Sequence, residues 1–305
     1  MASLKAIKGK IRSIDKTRKV TKAMEAVSAA KMRKAQQVAI GGRGYAKAAV
    51  SILSRLAKST TLAQSSFLAQ QAPQSAVYIV ITSDKGLAGS VNSGVLKAVV
   101  NDIAGLGLPK EKVQIVAIGR KASDFFSKRD FVVVNSFENK DGVITKEIVD
   151  RIVNESLLSY HLTSALTVKV AFQSFISTFE QKPTVRTMLP FNVVELEHIV
   201  SEIIPTRGKF AEVVAEPTST DSYEIEPSAE GILEVLVPKL ASIFVYHALL
   251  ESQASEHSAR MVAMKNASDK AKDKVKEFTR AFNKARQAGI TREVSEIIGG
   301  IEAMA

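Results

Sequence analysis

Four histidines, one glycine-rich turn and no cysteine mark the places where this sequence could do chemistry. His161, His198, His247 and His257 form neither HxxxH nor HExxH, the spacings that set two imidazoles on one side of a helix around zinc. The absence of Cys removes disulfides, thiolate metal sites and a cysteine nucleophile, and fits a reducing compartment. In "ITSDKGLAGSVNSG" (81–94), Gly86, Gly89 and Gly94 follow a strand-like run and lead into a helical one. That is where phosphate would sit on a helix N-terminus in a dinucleotide fold. The spacing is not GxGxxG, however, and GxxxxGK[S/T] occurs nowhere in the chain. The loop therefore reads as a tight strand-to-helix turn in which Gly86 and Gly89 supply backbone freedom. Asp84 and Lys85 read as surface-turn residues. No catalytic group, cofactor or metal site is expected.

What the sequence does offer is a basic, featureless-looking helix. "KVTKAMEAVSAAKMRKAQ" (19–36) carries no Gly, Pro or His. Residues 1–58 hold fifteen Lys and Arg against Asp15 and Glu25, a local charge of +13 in a chain whose total is +11. Charge concentrated in one terminal segment implies a partner for that segment: nucleic acid, an anionic membrane face or an acidic protein surface. Aromatics are nearly absent from it, Tyr45 being the first, and no base-reading module accompanies it. A solvated helix face or an acidic protein partner is the better fit.

The elements that position this charge fall into three parts. In the first, Leu4, Ile7, Ile11 and Ile14 step by three and four along one helix face, and the stripe is expected to drift to Val20, Met24 and Val27. Helix over 1–60 would span about 80 Å, with "GGRG" (41–44) as a place to bend. The second part, 75–225, alternates strand-like and helical runs. "VYIVIT" reads as a buried strand and "VQIVAIG" and "FVVVNSF" as a second and third, parallel with helical crossovers. "LTVKVAFQSFIS" and "TVRTMLPF" read as an antiparallel addition, and 195–224 as irregular. The third, 228–305, is a helix that Pro238 should open. Its seam runs Leu240, Ile243, His247, Leu250, Ala254, His257, Met261, Met264, Ser268, Ala271, Val275, Phe278, Phe282 and Ala285. Each terminal stripe would be exposed alone, so the two long helices should pair antiparallel. The fold class expected is α/β: a long antiparallel coiled coil of the N- and C-terminal helices plus a central Rossmann-like α/β domain. No apolar run approaches the ~20 residues of a spanning helix, and the first residues lack the apolar core of a signal peptide.

The ends of the chain carry a resemblance. "KVTKAMEAVSAAKMRKAQ", "SEHSARMVAMKNASDKA" (255–271) and "NKARQAGITREVSEIIGG" (283–300) resemble the gamma subunit of the F-type ATP synthase. "ITSDKGLAGSVNSG" and "FISTFEQKPTVRTMLPF" are similar to that family's central segments, so the resemblance covers nearly the whole chain in order. It implies a central-stalk rotor that couples proton flow through a membrane ring to rotary ATP synthesis, and that is itself not catalytic. The partners implied are three alpha and three beta subunits, the epsilon subunit and the membrane c-ring, with no nucleic acid. It places Lys22, Met24 and Arg33 in the shaft segment facing the alpha/beta ring. Arg286, Gln287 and Glu296 fall in the C-terminal segment that meets the same ring. The implied location is peripheral, on the cytoplasmic face of a bacterial plasma membrane or, for a mature organelle protein, on an inner membrane. Ala88 and Ser90 stand where many relatives carry Cys and Gly, so the loop's residues there need not be chemical.

Overall fold

The computed structural model describes residues 4–41, 73–139, 145–162, 166–190 and 229–303. The bend expected at 42–44, the irregular stretch expected at 195–224 and His198 lie outside these. The chain forms two compact units, one of Met1–Ala30 with Arg260–Ala305 and one of Lys31–Ala259.

The second unit is built on a sheet. Its strands are β1 (Ser75–Ile81), β2 (Val113–Ile118), β3 (Val132–Phe137), β4 (Leu166–Phe175) and β5 (Gln181–Leu189), in the order β3-β2-β1-β4-β5. The first four are parallel and β5 runs antiparallel to β4, as expected. Crossovers are made by α2 (Val91–Leu106), α3 (Arg120–Ser127) and α4 (Lys146–Leu162). β1 is central and reads as a continuous apolar run because both its faces are covered. Val77, Ile79 and Ile81 face a core closed by Val149, Ile152, Val153 and Leu157 of α4. The same core takes Leu240, Ala241, Phe244, Val245, Ala248 and Leu249 from the long helix α5 (Ala229–Glu302). Ala76, Tyr78 and Val80 face the opposite core, with Val95, Leu96, Val99 and Ile103 of α2 and Phe126 of α3.

Three expectations are corrected here. First, α5 begins at Ala229, so Pro238 lies inside a helix and does not open it. An interior proline costs about 3 kcal/mol. Burial of Val237 and Leu240 beside it, at about 1.5–3 kcal/mol each, offsets that cost. Second, Leu240 to Ala254 is not coiled-coil seam: this part of α5 lies on the sheet through residues 237, 240, 241, 244, 245, 248 and 249. Third, Gly86 has an ordinary backbone conformation and open space around it. The left-handed residues of the loop are Leu87 and Gly89.

Gly119 has the firmest glycine requirement. It joins β2 to α3 at φ +94°, and a Cβ there would lie 2.1 Å from the carbonyl oxygen of Thr82. The same crossing carries hydrogen bonds from Thr82 N to Ile118 O (2.7 Å) and from Gly119 N to Phe137 O (2.7 Å), so the backbone cannot back away cheaply. Gly119→Ala is expected to destabilise the chain by about 3 kcal/mol or more, from strain and overlap together. An unchanged midpoint of thermal unfolding would contradict this.

Candidate partner-binding surface

In the unit formed by the chain ends, the start of α1 (Leu4–Gly41) pairs with the far end of α5. The Lys10 ammonium lies over the Phe278 ring, 5.8 Å from its centroid, a contact near the start of one helix and far along the other. Burial along α1 within this unit recurs at Ile7, Ile11, Ile14, Arg18, Thr21, Glu25 and Ser28, in unbroken steps of four and three. Burial along α5 does the same at Met264, Ser268, Ala271, Val275, Phe278, Phe282, Ala285 and Gly289. Both are strict heptads, the period of a left-handed two-helix coil. The expected drift of the α1 stripe is therefore overturned. Val20 and Val27 are 58% and 54% exposed and lie outside the seam, which holds its register with polar and small residues instead.

Those seam residues are satisfied locally. The Thr21 hydroxyl donates to Thr17 O (3.1 Å) and Arg18 O (3.0 Å), within its own helix. Arg18 Nε donates to Asp15 Oδ1 (2.9 Å), and Lys19 stands 3.2 Å from Asp15 Oδ2. Hydrogen bonding from Arg18 and then Lys19 holds the Asp15 carboxyl below the usual carboxylate range. Small side chains at Ser28, Ser268 and Ala271 keep the pair slim, and the basic residues of α1 other than Arg18 are exposed.

The coil ends before α5 does. With Lys10 beside Phe278 and equal rise in both helices, the first turn of α1 meets α5 near residue 284, leaving roughly 30 Å of α5 beyond it. From Ile290 to Ile301 every residue is exposed, and Ile290, Val294, Ile297 and Ile301 repeat the four-three spacing out of register with the seam, on a face that α1 does not reach. This is apolar surface built for a partner.

Of the residues singled out for partner contact, Lys22 is exposed and pairs with Glu25 at 3.1 Å. Met24 is half-buried beside the seam, and Arg33, Arg286, Gln287 and Glu296 are exposed. The coil does not bring the two groups together: Met24 and Arg286 are separated by roughly 30 Å along its axis. Any common partner must offer separate contacts at two heights.

The glycine loop proves to be packed by the chain itself. Ser83 N donates to Asn92 Oδ1 (2.9 Å), Asn92 Nδ2 donates to Ser83 Oγ (2.8 Å), and Asp84 Oδ1 accepts from Arg120 N (2.9 Å). Asn139 Nδ2 donates to Thr82 O (2.7 Å) and its Oδ1 accepts from Gln253 Nε2 (3.1 Å). The C-terminal edge of the parallel strands, where doubly wound sheets hold ligands, is thus filled by loop side chains and by α5. Gly94 lies inside α2, where a Cβ would meet Pro183 at 3.6 Å, an ordinary contact, so the helix places no glycine requirement there. No group of His, Asp and Glu able to hold a metal ion occurs among the described residues.

Sequence reasoning missed the polar group around Glu251. His247 does not interrupt a coiled coil: its Nδ1 lies 3.3 Å from Glu251 Oε1, in the part of α5 that crosses the sheet. Glu251 Oε2 accepts from Phe175 N (3.4 Å), and Ser174 and Arg186 also face the carboxylate. His257 is buried, as are its neighbours Ser255, Glu256, Ser258 and Arg260. A helix whose polar residues fall on every side, as in "SQASEHSAR" (252–260), was the available signal for a segment enclosed all round.

Comparison with known proteins followed this geometry. The family model described as ATP synthase matches residues 3–304. The ATP synthase gamma chain of Pelotomaculum thermopropionicum is 36% identical over 304 residues, covering 100% of both chains. That of Heliobacterium modesticaldum is 36% identical over 306 residues, again covering 100% of both. Among solved structures, a chain of the Tetrahymena thermophila mitochondrial ATP synthase central stalk and c-ring matches with TM-score 0.61 and 24% identity, over 82% of this chain and 99% of that one. A chain of the Euglena gracilis mitochondrial ATP synthase matches with TM-score 0.63 and 18% identity, over 99% and 94%. At those identities the structures speak for the fold.

The Glu251 carboxyl, only 18% exposed, gives stability a pH dependence. Burial pushes it above its ordinary value of 4.5, and the bonds from Ser174 and Phe175 and the Arg186 charge only partly oppose this. A carboxyl raised in the folded state stabilises most below its unfolded pKa, and that stability is lost as pH rises through the folded value. Glu251→Gln keeps an acceptor for Phe175 N and removes the charge. Its melting temperature relative to the parent should therefore rise steadily from pH 5 to pH 8. A difference that does not vary with pH would refute this.

Proposed function

The chain belongs to the ATP synthase gamma-chain family, and from that premise we propose that it is the central-stalk rotor of an ATP synthase, coupling proton flow through a membrane ring to ATP synthesis. The observation that carries this reading is the slim heptad coil of 4–30 with 260–289, continued by a bare strip of isoleucines. A rotor turning in a protein sleeve needs length, torsional stiffness and a small radius. Paired helices with Ser, Thr and Ala in the seam supply all three.

The chain acts without catalysing. Phosphate bonds are made on its beta partners, and its own switch-point edge is occupied by Asn92, Asn139 and Gln253. Its partners are three alpha and three beta subunits around the coil, with the epsilon subunit and the c-ring at the α/β domain. Lys22, Met24 and Arg33 meet the ring at one height. Arg286, Gln287 and Glu296 meet it at another, and the exposed separation of the two groups supports two such contacts. Acidic loops on the beta subunits would be steered by the outward cations of α1. Among the described residues no helix is long and apolar enough to cross a membrane, which supports peripheral attachment, on the cytoplasmic face of a bacterial plasma membrane.

Co-expression with alpha and beta subunits of the same organism tests the reading. One copy of this chain should co-purify with three alpha and three beta, and deletion of 286–305 should impair turnover. Elution alone, with salt-sensitive affinity for DNA, would overturn it. Arg286→Glu should lower coupled ATP synthesis in membrane vesicles about fivefold, the worth of one surface charge contact turned repulsive. The α/β fold should be unaffected. Unchanged synthesis would remove Arg286 from the contact.

A further inference from the structure

The helix α5 takes part in both compact units, and what fixes it on the sheet is directional. Apolar packing through Leu240, Phe244 and Ala248 sets which face of the helix lies on the sheet, but the apolar gain itself is non-directional and tolerates a small slip. Hydrogen bonds, with their narrow range of distance and angle, hold the exact rotation and height. β4 runs past β1: the two strands pair only as far as Val80 with Ala171, while β4 continues to Phe175. Its other neighbour, β5, places Pro183 opposite Gln173. Proline has no N–H, so Gln173 turns its backbone groups away from β5, and the two-residue repeat turns those of Phe175 the same way. Both then point to the side where β1 has ended. Side chains of α5 complete that edge. Ser255 Oγ donates to Gln173 O (3.1 Å), and Phe175 N donates to Glu251 Oε2 (3.4 Å). One turn further on, Ser258 Oγ donates to Thr178 O (2.6 Å) in the β4–β5 connection. Ser255 and Ser258 are fully buried, so the bonds are shielded from water.

We propose that Glu251, Ser255 and Ser258 index α5 on the overhanging edge of β4, setting the angle at which torque carried by α5 is handed to the α/β domain. This rests on the rotor reading above. The three are positioning residues: they touch neither nucleotide nor ring, and without them the helix keeps its apolar seat but slips in rotation under load.

The test uses the assembled complex in membrane vesicles, measuring ATP hydrolysis and ATP-driven proton pumping on the same sample. In S255A/S258A, hydrolysis should stay near the parental rate. The share of hydrolysis unaccompanied by pumping should rise at least about fivefold, the factor matching the net worth of one of the two hydrogen bonds removed. Ser258→Thr, which keeps the hydroxyl, should stay at the parental ratio. A parental pumping-to-hydrolysis ratio in S255A/S258A would overturn the index. If the double variant does not assemble, a covalent index replaces it. The chain has no native Cys, so T178C/S258C in an S255A background can bridge only those two positions. Pumping gained on oxidation and lost on reduction supports the proposal, and equal coupling in both states overturns it. Failure of the parental complex to pump would instead sink the rotor reading and the index with it.

Discussion

Two helices joined along a single seam bury two side chains in every seven, and here that seam includes Arg18, Thr21, Glu25, Ser28 and Ser268. Such a pair gains little apolar burial per residue, since a Ser or Thr in the seam adds almost none of the roughly 1.5–3 kcal/mol that a fully buried Leu or Ile supplies. What it gains is closeness. Small seam residues bring the two axes together, and the hydroxyl of Thr21 returns to its own helix backbone, so no orphan polar group forces the helices apart. The rest of the chain depends on this choice of narrowness over intrinsic stability. A slim coil needs support from its ends and from whatever surrounds it.

At one end the support is internal. The first thirty residues of α5 lie on a sheet whose β1 is covered on both faces, and that packing is dense enough to hold a proline inside the helix. The same residues close the C-terminal edge of the sheet, where Gln253, Ser255 and Ser258 occupy positions that a ligand would take in a doubly wound enzyme. Loss of a ligand site and attachment of a long helix are thus one structural event. An α/β architecture with its switch point filled by its own side chains differs from an open one in those side chains alone, and fold by itself does not distinguish the two.

Much of this was legible in the sequence, for physical reasons that also mark where legibility stopped. β1 and β2 announced themselves because strands buried on both faces need unbroken β-branched runs, and "VYIVI" and "VQIVAI" are such runs, while the edge strand β3 alternates exposed and half-buried residues and was legible from its three valines. The pairing of the ends followed from two stripes that could not both face water. The α1 stripe was misjudged beyond Ile14 because Val20, Met24 and Val27 outrank Thr21, Glu25 and Ser28 in hydrophobicity, while the seam is set by register. Pro238 misplaced the start of α5 because local propensity was allowed to override tertiary burial. The group around Glu251 was invisible for a different reason. Its partners Ser174, Phe175 and Arg186 lie some seventy residues away, and only the overhang of β4 past β1 brings them to α5. For the residues assigned to partner contact, the structure gives exposure and spacing.

The other end of the coil has no internal support. Past the reach of α1, α5 continues as a lone helix whose Ile290, Val294, Ile297 and Ile301 are each about half exposed or more. A segment of this length is marginal as a helix in water, and an isoleucine stripe makes it worse, since Ile is a weaker helix former than Leu and costs solubility when bare. Its four-three spacing collects these side chains on one narrow strip of the helix, as a seam does, although nothing from α1 reaches it. Because the strip is narrow and the remaining positions carry Arg292, Glu293 and Glu296, a cover for it would be apolar on one side and tolerant of charge on the other. An apolar, non-directional contact of that kind would leave the helix free to turn where hydrogen bonds would hold it in one register.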